Sequence, residues 1–133
     1  MTMPANYAGK ILFADLTRGT FSEERLPDKI CSKFIGGNGF CIRILYEKLK
    51  AGIDPLGPEN ILCFAVGGLR GTSAPDSGRH VVVIRSPITG AWAESNSGGA
   101  FGPELKTAGY DAVLRIRKIS CIFLFGFRYF CFR

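Results

Sequence analysis

The residues best suited to chemistry lie in a glycine-rich stretch spanning residues 71–111. Two turn-rich loops, 71–79 and 95–102, flank an apolar run at 80–84. Glycine lets the backbone approach a ligand closely, and successive free N–H groups form concavities that suit phosphate or another anion. Arg79 adds a planar fork of hydrogen-bond donors beside the first loop. The pattern favours a surface for a flat, anionic ligand, with ordinary glycine-rich connections as the structural alternative.

Individual reactive side chains in this stretch give little evidence of catalysis. His80 is the only histidine, and because no partner at an identifying spacing accompanies it, we expect a partly buried hydrogen-bonding residue rather than a base. Asp76 and Glu94 form no recognisable acid–base pair, and solvation in loops explains both. No G-x-S-x-G motif surrounds the serines, so hydrolase chemistry has no support. No catalytic side chain is therefore predicted.

The elements that must position these loops follow from apolar periodicity and from glycine and proline punctuation. The predicted strands are 10–16, 20–24, 61–66 and 80–84, and the predicted helices are 26–36, 39–50 and 102–109. Without regular β-α alternation, these elements predict a single α+β domain with mixed sheets and a few short helices. The ends of the strands deliver both glycine-rich loops to one rim. The predicted core comprises Ile11, Phe13, Ile44, Leu45, Leu62, Phe64, Val81 and Val83.

The turn KFIGGNGF, between the first two predicted helices, is a second candidate ligand contact. A double glycine at a helix end is usually a C-cap, which is the alternative interpretation. Within this turn, Asn38 can adopt a left-handed conformation or donate a hydrogen bond. On the second helix, Arg43 and Glu47 are spaced to form an ion pair on a solvated face.

Charge and cysteine content narrow the class of protein. The net charge is +6, but residues 1–114 hold 12 basic and 11 acidic side chains, so this part is nearly neutral. No basic stripe with interleaved aromatic residues precedes residue 115, which argues against nucleic-acid binding. Five cysteines without C-x-x-C spacing argue against a disulfide framework and a self-contained zinc or iron–sulfur site; the first three are predicted to be buried. The N-terminal residues show no secretory signal, which predicts a cytoplasmic protein.

Eight short motifs follow one another along the chain: YAGKILFADLTRGT, KFIGGNGF, DPLGPEN, GTSAP, SGR, RSPITG, ESNSGG and FGPELKTAGYDA. Together they resemble the N-terminal domain of the tungsten-containing aldehyde ferredoxin oxidoreductase family, from about Tyr7 to about Val113. The resemblance implies a tungsten bis-pterin cofactor (tungstopterin) and, in the full-length enzyme, a 4Fe-4S cluster. It further implies oxidation of aldehydes to carboxylic acids, with ferredoxin as the electron acceptor.

The resemblance also implies roles for three residues. The arginine matching Arg79 lies between the pterin and the iron–sulfur cluster. The main-chain carbonyl of the residue matching Asn96 binds the magnesium that bridges the pterin phosphates, and oxygen ligation suits such a hard cation. The glycine matching Gly98 contacts the cofactor. Because the pterin dithiolenes bind the tungsten, no metal-ligating side chain is expected in this domain.

The C-terminal residues depart from the family pattern. The last fifteen residues contain six aromatic side chains, two cysteines, two arginines and no acid. This run is shorter than the roughly 20 residues that a membrane-spanning helix needs, so no span is predicted. We expect a cofactor-binding domain at 1–114, incomplete relative to the family, and an aberrant basic, aromatic tail at 115–133 that is poorly ordered or mispacked.

Three hypotheses about function follow. The preferred one is an N-terminal fragment of an aldehyde ferredoxin oxidoreductase that is inactive by itself. The second is a non-catalytic module that binds a pterin or a phosphate-bearing ligand, or a subunit that docks with a separate chain carrying the remaining domains. The third is a membrane-associated protein anchored by its tail.

Overall fold

The computed structural model describes residues 6–69, 72, 74 and 77–116. Within them the chain forms six strands and three helices around one sheet. The strands are β1 (Lys10–Asp15), β2 (Thr20–Arg25), β3 (Ile61–Val66), β4 (His80–Arg85), β5 (Trp92–Ser97) and β6 (Ala112–Ile116). The helices are α1 (Asp28–Phe34), α2 (Asn38–Lys48) and α3 (Phe101–Thr107). The predicted α+β class is confirmed.

The sheet is mixed, with strand order β2-β1-β6-β3-β4-β5. β1 and β6 run parallel, whereas every other neighbouring pair is antiparallel. β6 therefore lies at the centre of the sheet, although it comes last among the described elements. Strands β3 and β4 occupy interior positions, as their unbroken apolar runs predict.

The main core lies between α1, α2 and one face of the sheet. Side chains of alternate residues on the central strands point to this face, because successive residues of a strand face opposite sides. Phe40 and Leu45 of α2 are completely buried there. The sheet contributes Ile11, Phe13, Ile61, Cys63, Ala65, Val81, Val83, Ala112 and Leu114.

The second face of the sheet is packed differently. α3 lies against β3, where Phe101 contacts the rings of Phe64 and His80 at centroid distances of 5.7 and 4.7 Å. Leu62 lies on this face, opposite Arg115, and is only half-buried, so its placement in the predicted core is wrong. The other seven predicted core residues are buried.

Two predictions about the last third of the domain need correction. Residues 95–97 belong to β5, so the second glycine-rich loop is shorter than predicted and begins at Gly98. β6 continues through Arg115 and Ile116, which were assigned to the basic tail, and Arg115 is 8% exposed. The rest of the predicted tail lies outside the described residues. In the described part of the chain, no helix is long and apolar enough to cross a membrane.

Candidate ligand-binding rim

Several glycine-containing segments meet at one end of the sheet. Val66, the last residue of β3, pairs with His80 at the start of β4, and His80 pairs with Ser97 at the end of β5. The residues just beyond these strand ends are therefore neighbours. We call this end the glycine rim and define it by Gly36, Gly37, Gly67, Gly68, Arg79, Gly98 and Gly99. As predicted, the strand ends that flank both glycine-rich loops lie at one end of the sheet; residues 70, 71, 73, 75 and 76 of the first connection lie outside the described residues.

The KFIGGNGF turn joins the rim through its double glycine. Gly36 forms a β-bridge with Gly67, and the Gly37 N–H donates to the Val66 carbonyl at 3.1 Å. A Cβ on Gly36 would lie 2.9 Å from the Cα of Gly67, and the φ of Gly36 is +124°. Both its backbone conformation and its close contact therefore require glycine. The turn ends α1, as the C-cap interpretation expects, and also packs onto the rim.

Strained backbone precedes this double glycine. Ile35 is the one described non-glycine residue with positive φ, at 56°, and a β-branched residue adopts that conformation at a cost. The Tyr7 hydroxyl donates to the Ile35 carbonyl at 2.7 Å and holds the turn in place. Burial raises the pKa of Tyr7, and the acidic groups of Cys31 and Asp111 add to this effect. The Ile35 side chain is 78% exposed.

A buried carboxylate ties the first strand to the rim. Asp111 is fully buried, and its carboxylate accepts from the N–H groups of Ala8 and Gly9 at 3.2 and 2.6 Å. The ammonium of Lys106 on α3 forms an ion pair with the same carboxylate. Lys106 also lies 5.2 Å from the ring centroid of Tyr7. No sequence pattern predicted this network; its one local signal is an acid immediately before the apolar strand β6.

The three site residues predicted from the resemblance lie in one region. Arg79 directly precedes β4 and is exposed, and Gly98 directly follows β5, so the His80–Ser97 pair brings them to the same end. Asn96 lies one position inside β5, opposite Val81, with its side chain exposed. β5 is the edge strand, and alternate carbonyls of an edge strand face away from the sheet.

Unlike Gly36, Gly98 is not required by the conformation or the packing of the described chain. The backbone of Gly98 does not have a positive φ, and a Cβ there would meet no described atom within 4 Å. Neither conformation nor packing within the described chain therefore requires glycine at this position. No described side chain covers Gly98, and its backbone is exposed.

Other candidate residues have structural partners. The Asn38 amide donates to the Glu94 carboxylate, linking the first turn of α2 to β5. Arg43 and Glu47 form the predicted ion pair. His80 is 1% exposed and contacts the Phe101 ring, so it is more deeply buried than predicted. Asp76 lies outside the described residues.

The described cysteines lie in the core. Cys31, Cys41 and Cys63 are free and buried, as predicted. Burial raises the pKa of the Cys41 thiol far above its ordinary value, and its hydrogen-bonded neighbour Cys63 adds to the effect. Among the residues that the structure describes, no three His, Cys, Asp or Glu side chains are grouped to hold a metal.

The chain is thus an α+β domain with exposed glycine backbone at one end of its sheet. The model of the "aldehyde ferredoxin oxidoreductase, N-terminal domain" matches residues 11–116, and the chain belongs to this family. The resemblance found in the motifs is confirmed.

Similar proteins support this assignment. The tungsten-containing aldehyde ferredoxin oxidoreductase of Pyrococcus abyssi is 49% identical over 108 residues, which are 81% of this chain and 18% of the relative. The Thermococcus kodakarensis enzyme of the same name is 43% identical over 106 residues, 80% of this chain and 18% of that protein. The chain thus spans less than a fifth of the length of these relatives.

A solved structure has the same fold. It is the active site complex BamBC of benzoyl coenzyme A reductase with 1,5-dienoyl-CoA. The TM-score is 0.81 at 36% sequence identity, over 85% of this chain and 17% of the matched chain.

Proposed function

We propose that the glycine rim is part of the tungstopterin-binding surface of an aldehyde ferredoxin oxidoreductase, with Arg79, Asn96 and Gly98 facing the cofactor. The observation that carries the proposal is the open space at Gly98 beside the exposed Arg79, in a chain whose relatives are tungsten-containing oxidoreductases. When bound, the cofactor supplies the redox chemistry that converts an aldehyde to a carboxylic acid. We include four further features in this proposal: the aldehyde-oxidising activity of the full-length enzyme, its 4Fe-4S cluster, ferredoxin as the electron acceptor and a cytoplasmic location.

The residues at the rim suit such a group. A pterin is flat and bears hydrogen-bonding heteroatoms, and its phosphates are anionic. Arg79 forms no ion pair with the described acids, so its guanidinium has donors available for charge-assisted hydrogen bonds. The exposed side chains of Ile35 and Leu69, 78% and 63% accessible, add apolar surface at the same end.

The bridging magnesium is assigned to the main-chain carbonyl of Asn96. Carbonyl oxygen is a ligand that a hard divalent cation accepts. The position of Asn96 on an edge strand supports this role, because the neighbouring strand β4 pairs with only one side of β5. The Asn38–Glu94 hydrogen bond ties this part of β5 to α2 and restrains it.

This chain thus binds and orients the cofactor. Its backbone provides a close approach at Gly98, and Arg79 donates to the ligand from the adjacent strand end. The Asp111 network and the Gly36–Gly67 bridge hold the rim segments in register before the ligand arrives. Such preorganisation lowers the entropy cost of binding. We propose that the chain alone does not oxidise aldehydes.

The test is a chimera in which residues 11–116 of this chain replace the matching segment of the Pyrococcus abyssi relative. In it, Arg79→Lys keeps the charge but loses the planar fork. We expect tungsten content and aldehyde-dependent dye reduction to fall at least fivefold, while the melting temperature changes little because Arg79 is exposed.

The matched control is Arg18→Lys, which changes another exposed arginine in the β1–β2 turn. It should leave both tungsten content and turnover unchanged. Unchanged tungsten content and turnover in the Arg79→Lys chimera would contradict a cofactor contact. A large drop in melting temperature with full tungsten content would make Arg79 a structural residue.

A split enzyme is the second candidate, in which this chain docks with a separate chain carrying further domains. The solved neighbour is part of a complex, which supports this alternative. Co-expression with the remaining part of the Pyrococcus abyssi relative, followed by affinity capture, tests it. Recovery of a tungsten-containing assembly would favour the split enzyme.

A further inference from the structure

A groove lies at the end of the sheet opposite the glycine rim. One wall is formed by Leu45 and Tyr46 of α2 and by Leu49 and Lys50, which directly follow this helix. The β4–β5 hairpin forms the other wall with Arg85, Gly90, Ala91 and Trp92. Its volume is about 600 Å³, within the range typical of small-molecule sites. The Arg85–Trp92 pair lies five residues along β4 from the His80–Ser97 pair, so the groove is roughly 17 Å from the rim.

The charge of the groove is one-sided. Among the described residues, its lining contains two cations, Lys50 and Arg85, and no carboxylate. Neither cation forms an ion pair with a described acid, whereas Lys10, Arg25, Arg43, Lys48 and Lys106 all do. The groove therefore presents positive charge that the described residues do not neutralise.

The guanidinium of Arg85 is held in place by its own hairpin. Its Nε donates to the Gly90 carbonyl at 3.0 Å, and the residue is half-buried. This bond occupies one of the five donors of the guanidinium and leaves the terminal amino groups for an acceptor. A fixed, planar fork of this kind suits a carboxylate.

The walls beside these cations are apolar and aromatic. Trp92 is 42% exposed and Tyr46 is 73% exposed, although both are large hydrophobic side chains. Leu49, directly after α2, is half-buried and adds apolar surface to the same wall, above the fully buried Leu45. An indole face stacks well on a flat ring, and aromatic pairs of this kind contribute beyond their buried area.

We propose that this groove is a binding site for a small aromatic carboxylate, distinct from the proposed cofactor rim. The ring of the ligand stacks on Trp92 between the two walls, and its carboxylate accepts from Arg85 and Lys50. A carboxylate fits better than a phosphate ester because the described lining is mostly apolar and contains only two cations. The site does not depend on the tungstopterin proposal, since it shares no residue with the rim.

Trp92 makes the proposal directly testable in the unmodified chain. It is the single tryptophan of the 133 residues, so one indole N–H resonance reports on the groove. The ¹⁵N-labelled chain is titrated with phenylacetate and, separately, with the neutral isostere phenylacetamide. We expect a saturable shift of the indole resonance with phenylacetate, an affinity at least tenfold weaker for the amide, and weaker phenylacetate binding at high salt.

Variants then assign the carboxylate contact. Arg85→Gln should weaken phenylacetate binding at least tenfold, and Lys50→Gln should weaken it to a smaller extent. The matched control Arg18→Gln removes one charge in the β1–β2 turn and should leave the titration unchanged. If Arg85→Gln fails to fold, Arg85→Lys replaces it, with weaker binding again expected because the planar fork is lost.

Three results would overturn the proposal. One is the lack of a saturable Trp92 shift at about 10 mM phenylacetate, a concentration well above a millimolar Kd. Another is equal binding of acid and amide, which would mean that no carboxylate is recognised. The third is a folded Arg85→Gln variant that binds as tightly as the unmodified chain.

Discussion

The Asp111 carboxylate accepts a 2.6 Å hydrogen bond from the N–H of Gly9, 102 residues earlier in the chain. This contact fixes the start of β1 beside the start of β6, because the main chain of Asp111 also donates to the Lys10 carbonyl at 2.9 Å. The ammonium of Lys106, on α3, pairs with the buried Asp111 carboxylate and balances its charge. One side chain thus connects the N-terminal segment, the central strand and the helix that follows the glycine rim.

Asp111→Asn should destabilise the chain by about 3 kcal/mol, because it leaves the Lys106 ammonium, only 11% exposed, without its counter-ion. Chemical denaturation in urea measures the loss. The control is Glu47→Gln, which breaks the exposed Arg43–Glu47 pair and should cost about 0.5 kcal/mol or less. Equal effects of the two substitutions would show that the Asp111 pair is no more important than a surface ion pair.

Substitutions of Gly36 and Gly98 should separate packing from ligand approach. Gly36→Ala places a methyl group 2.9 Å from the Gly67 Cα at a φ of +124°, so we expect a loss of about 2 kcal/mol. Gly98→Ala meets open space and should change stability by less than about 1 kcal/mol. In the chimera, however, Gly98→Ala should lower tungsten content. Full tungsten retention would remove Gly98 from the proposed contact.

The stability of the domain should fall in alkaline solution because of Cys41. Burial raises the pKa of this thiol above its ordinary value of 9.0, so the unfolded chain releases the proton at lower pH than the folded chain does. The stabilisation is complete below pH 9 and is lost as pH rises further, by up to about 1.4 kcal/mol per pH unit.

Urea unfolding at pH 7, 9 and 10 measures this slope. Cys41→Ala should be less stable at pH 7 but should show a shallower alkaline decline, since the titrating group is gone. Identical slopes for the two proteins would exclude Cys41 as the cause. Reaction of Cys41 with a thiol reagent should likewise be slow until the chain unfolds, because the thiolate is the reactive form.

Much of the local structure was predictable from short-range patterns. β3 matches its apolar run, Ile61–Val66, and the β1–β2 hairpin follows the turn residues Thr17, Arg18 and Gly19. Pro27 and the double glycine after Phe34 bound α1 within a residue or two. These features depend on backbone preferences and apolar spacing, which residues close together in the sequence determine.

Two strands were missed for different reasons. β5 reads WAESNS, a polar sequence that indicates a loop, and it forms a strand because the edge of β4 provides a partner for its backbone. β6 is only five residues long and is followed by residues of irregular pattern. Its central position results from pairing with β1 and β3. These strands are distant in the sequence, so no local pattern predicts the pairing.

The sequence by itself determined the family, the α+β class and the site candidates, because ordered motifs and glycine-rich loops are local features of the chain. It also located Arg79 and Gly98 in the two loops that the structure brings to one rim. The strand order, the burial of Asp111 with Lys106 and the groove at Trp92 were decided only by the tertiary structure. These features join residues far apart in the chain, and their energies arise from pairing and desolvation that exist only once the sheet has formed.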